Sequence, residues 1–368
     1  MKKSLIALAA LGAFCGVAHA QSSATLYGIV DSGITYTNSL KGHSAWQATS
    51  GNEQGSRWGI IGSEDLGGGS RAIFRLENGF NVETGALGQG SREFGRQAYV
   101  GLTNNGFGTV TMGRQYNSFQ DYVAPLQISS TLTQYSTHPL DNDNLNNTFR
   151  TDNSVKYATP VFVGFQADAM YAFSNSTNFA ANRSWSVGAS YANGPMHLGA
   201  GYARLSTPAL DTTGAIPSDN YYSPTYLKSA TGMQTWGVGG TYDFGAATLG
   251  LLYTGSLFSA ATGTPFTPSA KGSLHFNNYE GSFRYKFTPA LMFALGETYT
   301  ELTQGTASGH YLQTSAGMQY FLSKRTDVYV NAIYQKTSRN LNAWIDGIGS
   351  ASTTSTQVSG VVGIRHKF

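Results

Sequence analysis

The sequence predicts an all-β fold, an antiparallel transmembrane barrel of sixteen strands. Three observations predict it. Apolar or aromatic residues alternate with polar ones in segment after segment of about 9 to 14 residues, longer than globular strands usually run. Aromatic residues recur just before short turns. No stretch after residue 20 approaches the roughly 18 to 20 apolar residues of a spanning helix.

The chain begins "MKKSLIALAALGAFCGVAHA". Lys2 and Lys3 form a basic start, Ser4 to Val17 is mostly apolar, and Ala18-His19-Ala20 is a small-x-small cleavage site. Residues 1–20 read as a secretory signal peptide and 21–368 as one barrel domain. Cys15 is the only cysteine and leaves with the leader, so disulfides and thiolate metal sites are excluded. Loss of Lys2 and Lys3 leaves 21 basic residues against 20 acidic, a net charge of about +1. Nothing there suggests a nucleic-acid partner. Charged residues are only 12 %, about half the usual share.

The strands follow in order, near 24–37, 55–65, 69–82, 93–103, 107–115, 150–159, 162–173, 183–193, 195–206, 233–243, 246–257, 276–287, 290–302, 310–322, 325–337 and 356–368. "NYEGSFRYKF" sets Tyr279, Gly281, Phe283, Tyr285 and Phe287 opposite Asn278, Glu280, Ser282, Arg284 and Lys286. "DVYVNAIYQK" and "TWGVGGTYDF" repeat the pattern. About 9 to 11 tilted residues cross a bilayer. Tyr157, Tyr191, Tyr242, Tyr285 and Tyr320 each precede a short turn, the place of an aromatic girdle at a membrane–water interface. Short connections alternate with longer loops near 38–54, 83–92, 116–149, 174–182, 207–232, 258–275, 303–309 and 338–355, and an even strand count puts both termini at the short-turn end. The last strand, "GVVGIRHKF", sets Gly360, Val362, Ile364, His366 and Phe368 on one face. It must pair with the first, since an open edge cannot stand in hydrocarbon, and Phe368 completes the closure.

The blocks "ATLYGIVDSGI", "SRWGIIGSEDLGGGSRAIFRLENGF", "RQAYVGLTNNGFGTVTMGRQY", "RTDNSVKYATP" and "GIRHKF" lie in order along residues 21–368. The chain resembles the general, non-specific porins of Gram-negative outer membranes, in the beta-proteobacterial branch. The resemblance implies a homotrimer, a water-filled pore, a long third loop folded into the lumen, and a C-terminal Phe read by the barrel assembly machinery.

Sixteen strands enclose a space wide enough for water, and selectivity would arise at its narrowest level. The stretch 116–149 is too long for an idle connection and carries Asp121, Asp141 and Asp143. It is assigned as the acidic constriction loop. The facing wall should be basic. By strand parity Arg57, Arg75, Arg96 and Arg150 point inward. Arg96 is grouped with Ala98 against Tyr99, and Arg150 with Asp152, Ser154 and Lys156. Arg114 shares the parity of Val110 and Met112 and points inward only if a bulge intervenes. In the resembled family the arginines of "SR", "RQAYVG" and "R-x-x-NS" line the eyelet, which carries to Arg57, Arg96 and Arg150. Any barrel lumen is polar, so a single inward arginine is as well explained by solvation; four facing an acidic loop favour an ordered field. Guanidiniums stay protonated when crowded.

The function expected is passive diffusion of ions and small hydrophilic solutes across the outer membrane, with weak anion preference and no cofactor. A substrate-specific porin is one alternative. An outer-membrane barrel enzyme is the other, but His138, His197, His275 and His310 lie on different elements and no acid–base partner is evident nearby in sequence.

Overall fold

The computed structural model describes residues 22–207, 213–216, 229–262, 271–338 and 341–368. The expected leader, residues 1–20, and parts of the expected loops 207–232 and 258–275 lie outside the described residues.

The described chain forms β1 (Ser23–Leu40), β2 (His43–Ser50), β3 (Arg57–Gly67), β4 (Ser70–Gly79), β5 (Gln97–Asn104), β6 (Gly108–Gln115), a short helix α1 (Ser118–Val123), β7 (Thr151–Ala158), β8 (Phe165–Ala172), β9 (Arg183–Asn193), β10 (Met196–Ser206), β11 (Gly232–Phe244), β12 (Ala247–Thr262), β13 (Lys271–Thr288), β14 (Leu291–Gln304), β15 (Ala307–Phe321), β16 (Thr326–Thr337) and β17 (Thr356–Lys367). Every neighbouring pair is antiparallel, and β17 returns to β1, with Ile29 opposite Lys367 and Thr37 opposite Ser359. The ring holds sixteen strands. β2 is additional: it pairs with the loop-side half of β1 inside the stretch expected as loop.

Alternation decides which way each strand faces. Along β14, Ala294, Gly296, Thr298, Thr300, Leu302 and Gln304 are buried, while Leu295, Glu297, Tyr299 and Glu301 are exposed. Along β16 and β17, Val330, Val362, Ile364 and Phe368 stand outward and Tyr329, Asn331, Val361 and Arg365 inward. Polar groups buried within and apolar groups exposed without is the arrangement hydrocarbon demands of a spanning barrel. Among the described residues no helix is long and apolar enough to cross a membrane.

Two expected loops are shorter than their alternation allowed. The stretch 303–309 is a hairpin turning at Gly305, and β12 and β13 run on into 258–275. These extensions bury Phe258, Leu274, Phe276, Leu302 and Tyr311 with Leu140, Phe149 and Leu341 from two loops. The loop end of the barrel therefore has an apolar core of its own.

Candidate functional site

The segment 116–149 starts as α1, capped by Asn117 and Gln120, whose side chains and backbones bond reciprocally. The helix lies on inward-facing residues of β9 and β10. A Cβ on Gly199 would stand 2.2 Å from the Tyr122 carbonyl oxygen, and one on Gly188 2.5 Å from that of Ser118. Glycine at these two places leaves the trough the helix occupies. Ser118 is held there by the Ser186 hydroxyl, 3.0 Å from its N–H.

Further along, His138 is buried between two carboxylates. Its Nδ1 lies 2.6 Å from Asp143 Oδ2 and its Nε2 3.3 Å from Glu280 Oε2 on β13. The Thr254 hydroxyl donates to Asp143 at 2.5 Å, and Asn142 and Asn278 bond each other's side chains. Burial alone would push the imidazole down; Asp143 and Glu280 more than offset it and raise His138 to about 10. His138 thus has two acid partners, contrary to the sequence reading, one of them distant in sequence. Its charge clasps the loop to β12 and β13. Breaking such a buried pair costs roughly 3–5 kcal/mol. His138→Gln is therefore expected to raise open-channel current noise at pH 7. In the native chain the clasp is at full strength below an imidazole's unperturbed value of about 6.5 and is lost as pH climbs through about 10. Noise should rise over that window. A wild-type record that stays flat from pH 7 to 10.5, or a variant no noisier than wild type at pH 7, would contradict the clasp.

The acidic loop meets only one of the predicted arginines: Asp121 shares a cavity with Arg75, while Asp141 and Asp143 are turned elsewhere. Asp143 is spent on His138. Asp141 is buried and accepts the backbone N–H groups of Asn146 and Thr148 at 2.9 and 3.2 Å. Asp121 meets Lys156 Nζ at 2.5 Å. Close self-capping of a sharply turning loop consumes its carboxylates, which composition alone does not reveal.

Three of the five arginines do come together. Arg57, Arg96 and Arg150 line one cavity of about 530 Å³, with Tyr116, Asn146, Asn147, Thr148, Trp344 and Asp346. Gly55 is where two of them converge: a Cβ there would lie 3.2 Å from Arg96 Nη1 and 3.9 Å from Arg57 Nη2. Arg57 Nε donates to the Gly55 carbonyl at 2.8 Å. Arg96 donates to Glu77 Oε1 at 2.7 Å and to the Tyr116 hydroxyl at 3.0 Å. Arg150 donates to the Asn147 carbonyl at 2.5 Å, with its Cζ 5.5 Å from the Tyr116 ring centroid. Burial lowers Arg150 to about 10, so it stays charged at neutral pH. Burial would raise the Tyr116 phenol, but Arg96 and Arg150 together pull it down.

The positions of Arg96 and Arg150 do not come from strand parity. Tyr99 lines a cavity with Arg75, whereas Ala98 pairs with Arg114 on the outer face. Arg96 precedes β5 in irregular backbone and so escapes the alternation. Near β7, two residues, Asp152 and Asn153, stand against Arg114 alone, and Asn153 has a φ of 54°. This bulge turns Asp152 outward while Ser154 and Lys156 stay inward, and Arg150 precedes the strand.

Arg75 is inward but apart. It lines a second cavity with Tyr99, Gln115, Asp121 and Lys156, and its Nε donates to Tyr27 at 2.9 Å. Arg114 keeps the outward parity of Val110 and Met112. It bonds Asp152 and the Gly95 carbonyl on the outer wall, so it is no part of the cavity. Sequence reasoning missed Glu77 and Tyr116, which bond Arg96, and it missed Asp346. Its signal is "AWIDGIG" within an otherwise polar stretch: Ile345 and Ile348 pack with Tyr135, Tyr329, Ile333 and Val361, fixing Asp346 between them.

A closed sixteen-stranded barrel, apolar outside and polar within, defines a membrane channel. The sequence profile of Gram-negative porins matches residues 7–340, and the chain belongs to that family. It is 32 % identical to an outer membrane porin protein of Bordetella pertussis over 412 residues and 31 % identical to outer membrane porin protein 32 of Delftia acidovorans over 389, each alignment covering all of both chains. The anion-selective porin from Comamonas acidovorans superposes with a TM-score of 0.76 at 26 % identity, covering 94 % of this chain and all of that one. The protein is an outer-membrane channel for passive diffusion.

Proposed function

We propose that this channel is narrowed where segment 116–149 meets Arg57, Arg96 and Arg150, and that it weakly prefers anions among the ions and small hydrophilic solutes it passes. The convergence of three guanidiniums on one cavity, faced by Asn146, Asn147 and Thr148 of that segment, carries the reading. Around it, Glu77 offsets one guanidinium and Asp346 a second, and burial pushes the carboxyl of Glu53, on the same lining, up to about 8, so that one positive charge is left in excess at neutral pH. The selectivity named for the Comamonas acidovorans relative has the same sign.

The reading includes a homotrimer with lipid on its remaining outer surface, a cleaved leader at residues 1–20, and Phe368 as the mark taken by the barrel assembly machinery. The outward cluster of Arg92, Arg114 and Asp152 supports the trimer, because charges on a spanning wall are costly against hydrocarbon and are satisfied against protein. The reading excludes catalysis: His138 and its carboxylates are sealed from solvent, where no substrate reaches them. Planar-bilayer recording tests it. Conductance steps closing in units of three are expected; single, independent steps would refute the trimer, and absence of conductance the channel.

A further inference from the structure

The cavity has two electrical sides. Arg150 donates to the Asn147 carbonyl at 2.5 Å, while the neighbouring residue, Asn146, donates its side-chain amide to Asp346 Oδ2 at 3.2 Å. Consecutive Cα atoms are about 3.8 Å apart, so a cation and a carboxylate flank one dipeptide near the C-terminal end of segment 116–149. Arg57 and Arg96 extend the basic side, and Trp344 lines the space beside Asp346. The carboxylate is held rigidly, between buried Ile345 and Ile348. A volume of about 530 Å³ lies within the range of sites for small solutes.

We infer that this cavity favours zwitterionic solutes of amino-acid type, orienting the carboxylate toward Arg57, Arg96 and Arg150 and the ammonium toward Asp346. The inference rests on the channel reading above and names a solute class for it. A simple anion meets attraction on one side and Asp346 on the other; a zwitterion is matched by both. Asp346 can serve at neutral pH. Burial raises it to about 6 against the Asn146 amide and the Gly347 N–H, which hold it down, and Asp143 adds repulsion. Asp141, which faces it through Asn146, is pushed up by burial and by Asp346 itself.

Alanine and lactamide are isomers, one zwitterionic and one neutral, and osmotic swelling of proteoliposomes compares them with protein-free vesicles subtracted. Lactamide entry reports in each preparation that open pores are present. At pH 7.5 alanine is expected to enter about twofold to fivefold faster than lactamide, the worth of a solvated ion pair. The ratio should fall toward one at pH 5 and in Asp346→Asn, and recover in Asp346→Glu. A wild-type ratio of one or below at pH 7.5 overturns the inference, as does a raised ratio that persists in Asp346→Asn. Entry of neither solute would instead count against the channel itself. Should Asp346→Asn fail to assemble, the wild-type ratio and its pH dependence decide.

Discussion

Deleting Phe368, or replacing it with aspartate, is expected to abolish the heat-modifiable trimer on unboiled gels. Phe368 makes the last backbone pair of the closing seam: its N–H donates to the Gly28 carbonyl at 3.1 Å, and its carbonyl accepts from the Gly28 N–H at 3.0 Å. Its ring covers Gly28 so closely that a Cβ there would sit 2.3 Å from Phe368 Cζ and 2.7 Å from the Arg57 carbonyl oxygen. Deletion removes this pair and opens a sheet edge at the membrane boundary, where each unsatisfied backbone group costs several kcal/mol; aspartate keeps the backbone pair but replaces the ring over Gly28 with a charge on the outer wall. Gly28→Val attacks the same joint from the other strand, because the carbonyl it strikes is backbone and cannot swing away. All three variants should fail together. Wild-type amounts of trimer from any of them would show that the seam closes without this contact.

Replacing Arg57 and Arg96 together with serine is expected to enlarge conductance and move ion preference toward cations. The two guanidiniums meet at Gly55 and line the same cavity as Arg150. Their removal leaves Glu77 without Arg96 and Arg150 alone against Asp346, so the formal balance at this level falls from one positive to one negative. Field focusing in a narrow opening with low-dielectric walls amplifies such a change. Salt screens it over about 10 Å at 0.1 M, so the shift should be largest in dilute electrolyte. Arg114→Ser, on the outer wall, should leave ion preference where it is. An equal shift from Arg114→Ser would place the controlling field elsewhere.

The barrel was legible because its physics is repetitive. Hydrocarbon outside and water inside force every strand into one alternation, and Tyr279 to Phe287 or Val328 to Tyr334 show it without reference to neighbours. The site was legible only in part. Arg57 follows from parity. Arg96 and Arg150 line the same cavity, but for reasons parity does not contain: one precedes its strand, and the other precedes a strand whose bulge at Asp152 and Asn153 reverses the count. Asp141 and Asp143 were misplaced because a loop that turns sharply uses its own carboxylates as caps and clasps. Glu280, the far partner of His138, lies more than a hundred residues away, and no local pattern connects them. Asp346 left a trace in the apolar residues around it, which only burial of the last loop explains.

The zero-current potential of the wild-type channel across a gradient of potassium chloride near 0.1 M tests the central claim most directly. With one guanidinium in excess at the level of Arg57, Arg96 and Arg150, it should carry the sign of weak anion preference and shrink as salt rises. A potential of cation sign at 0.1 M, or one that does not move in the Arg57→Ser, Arg96→Ser protein, would contradict the assignment of the passage to this cavity.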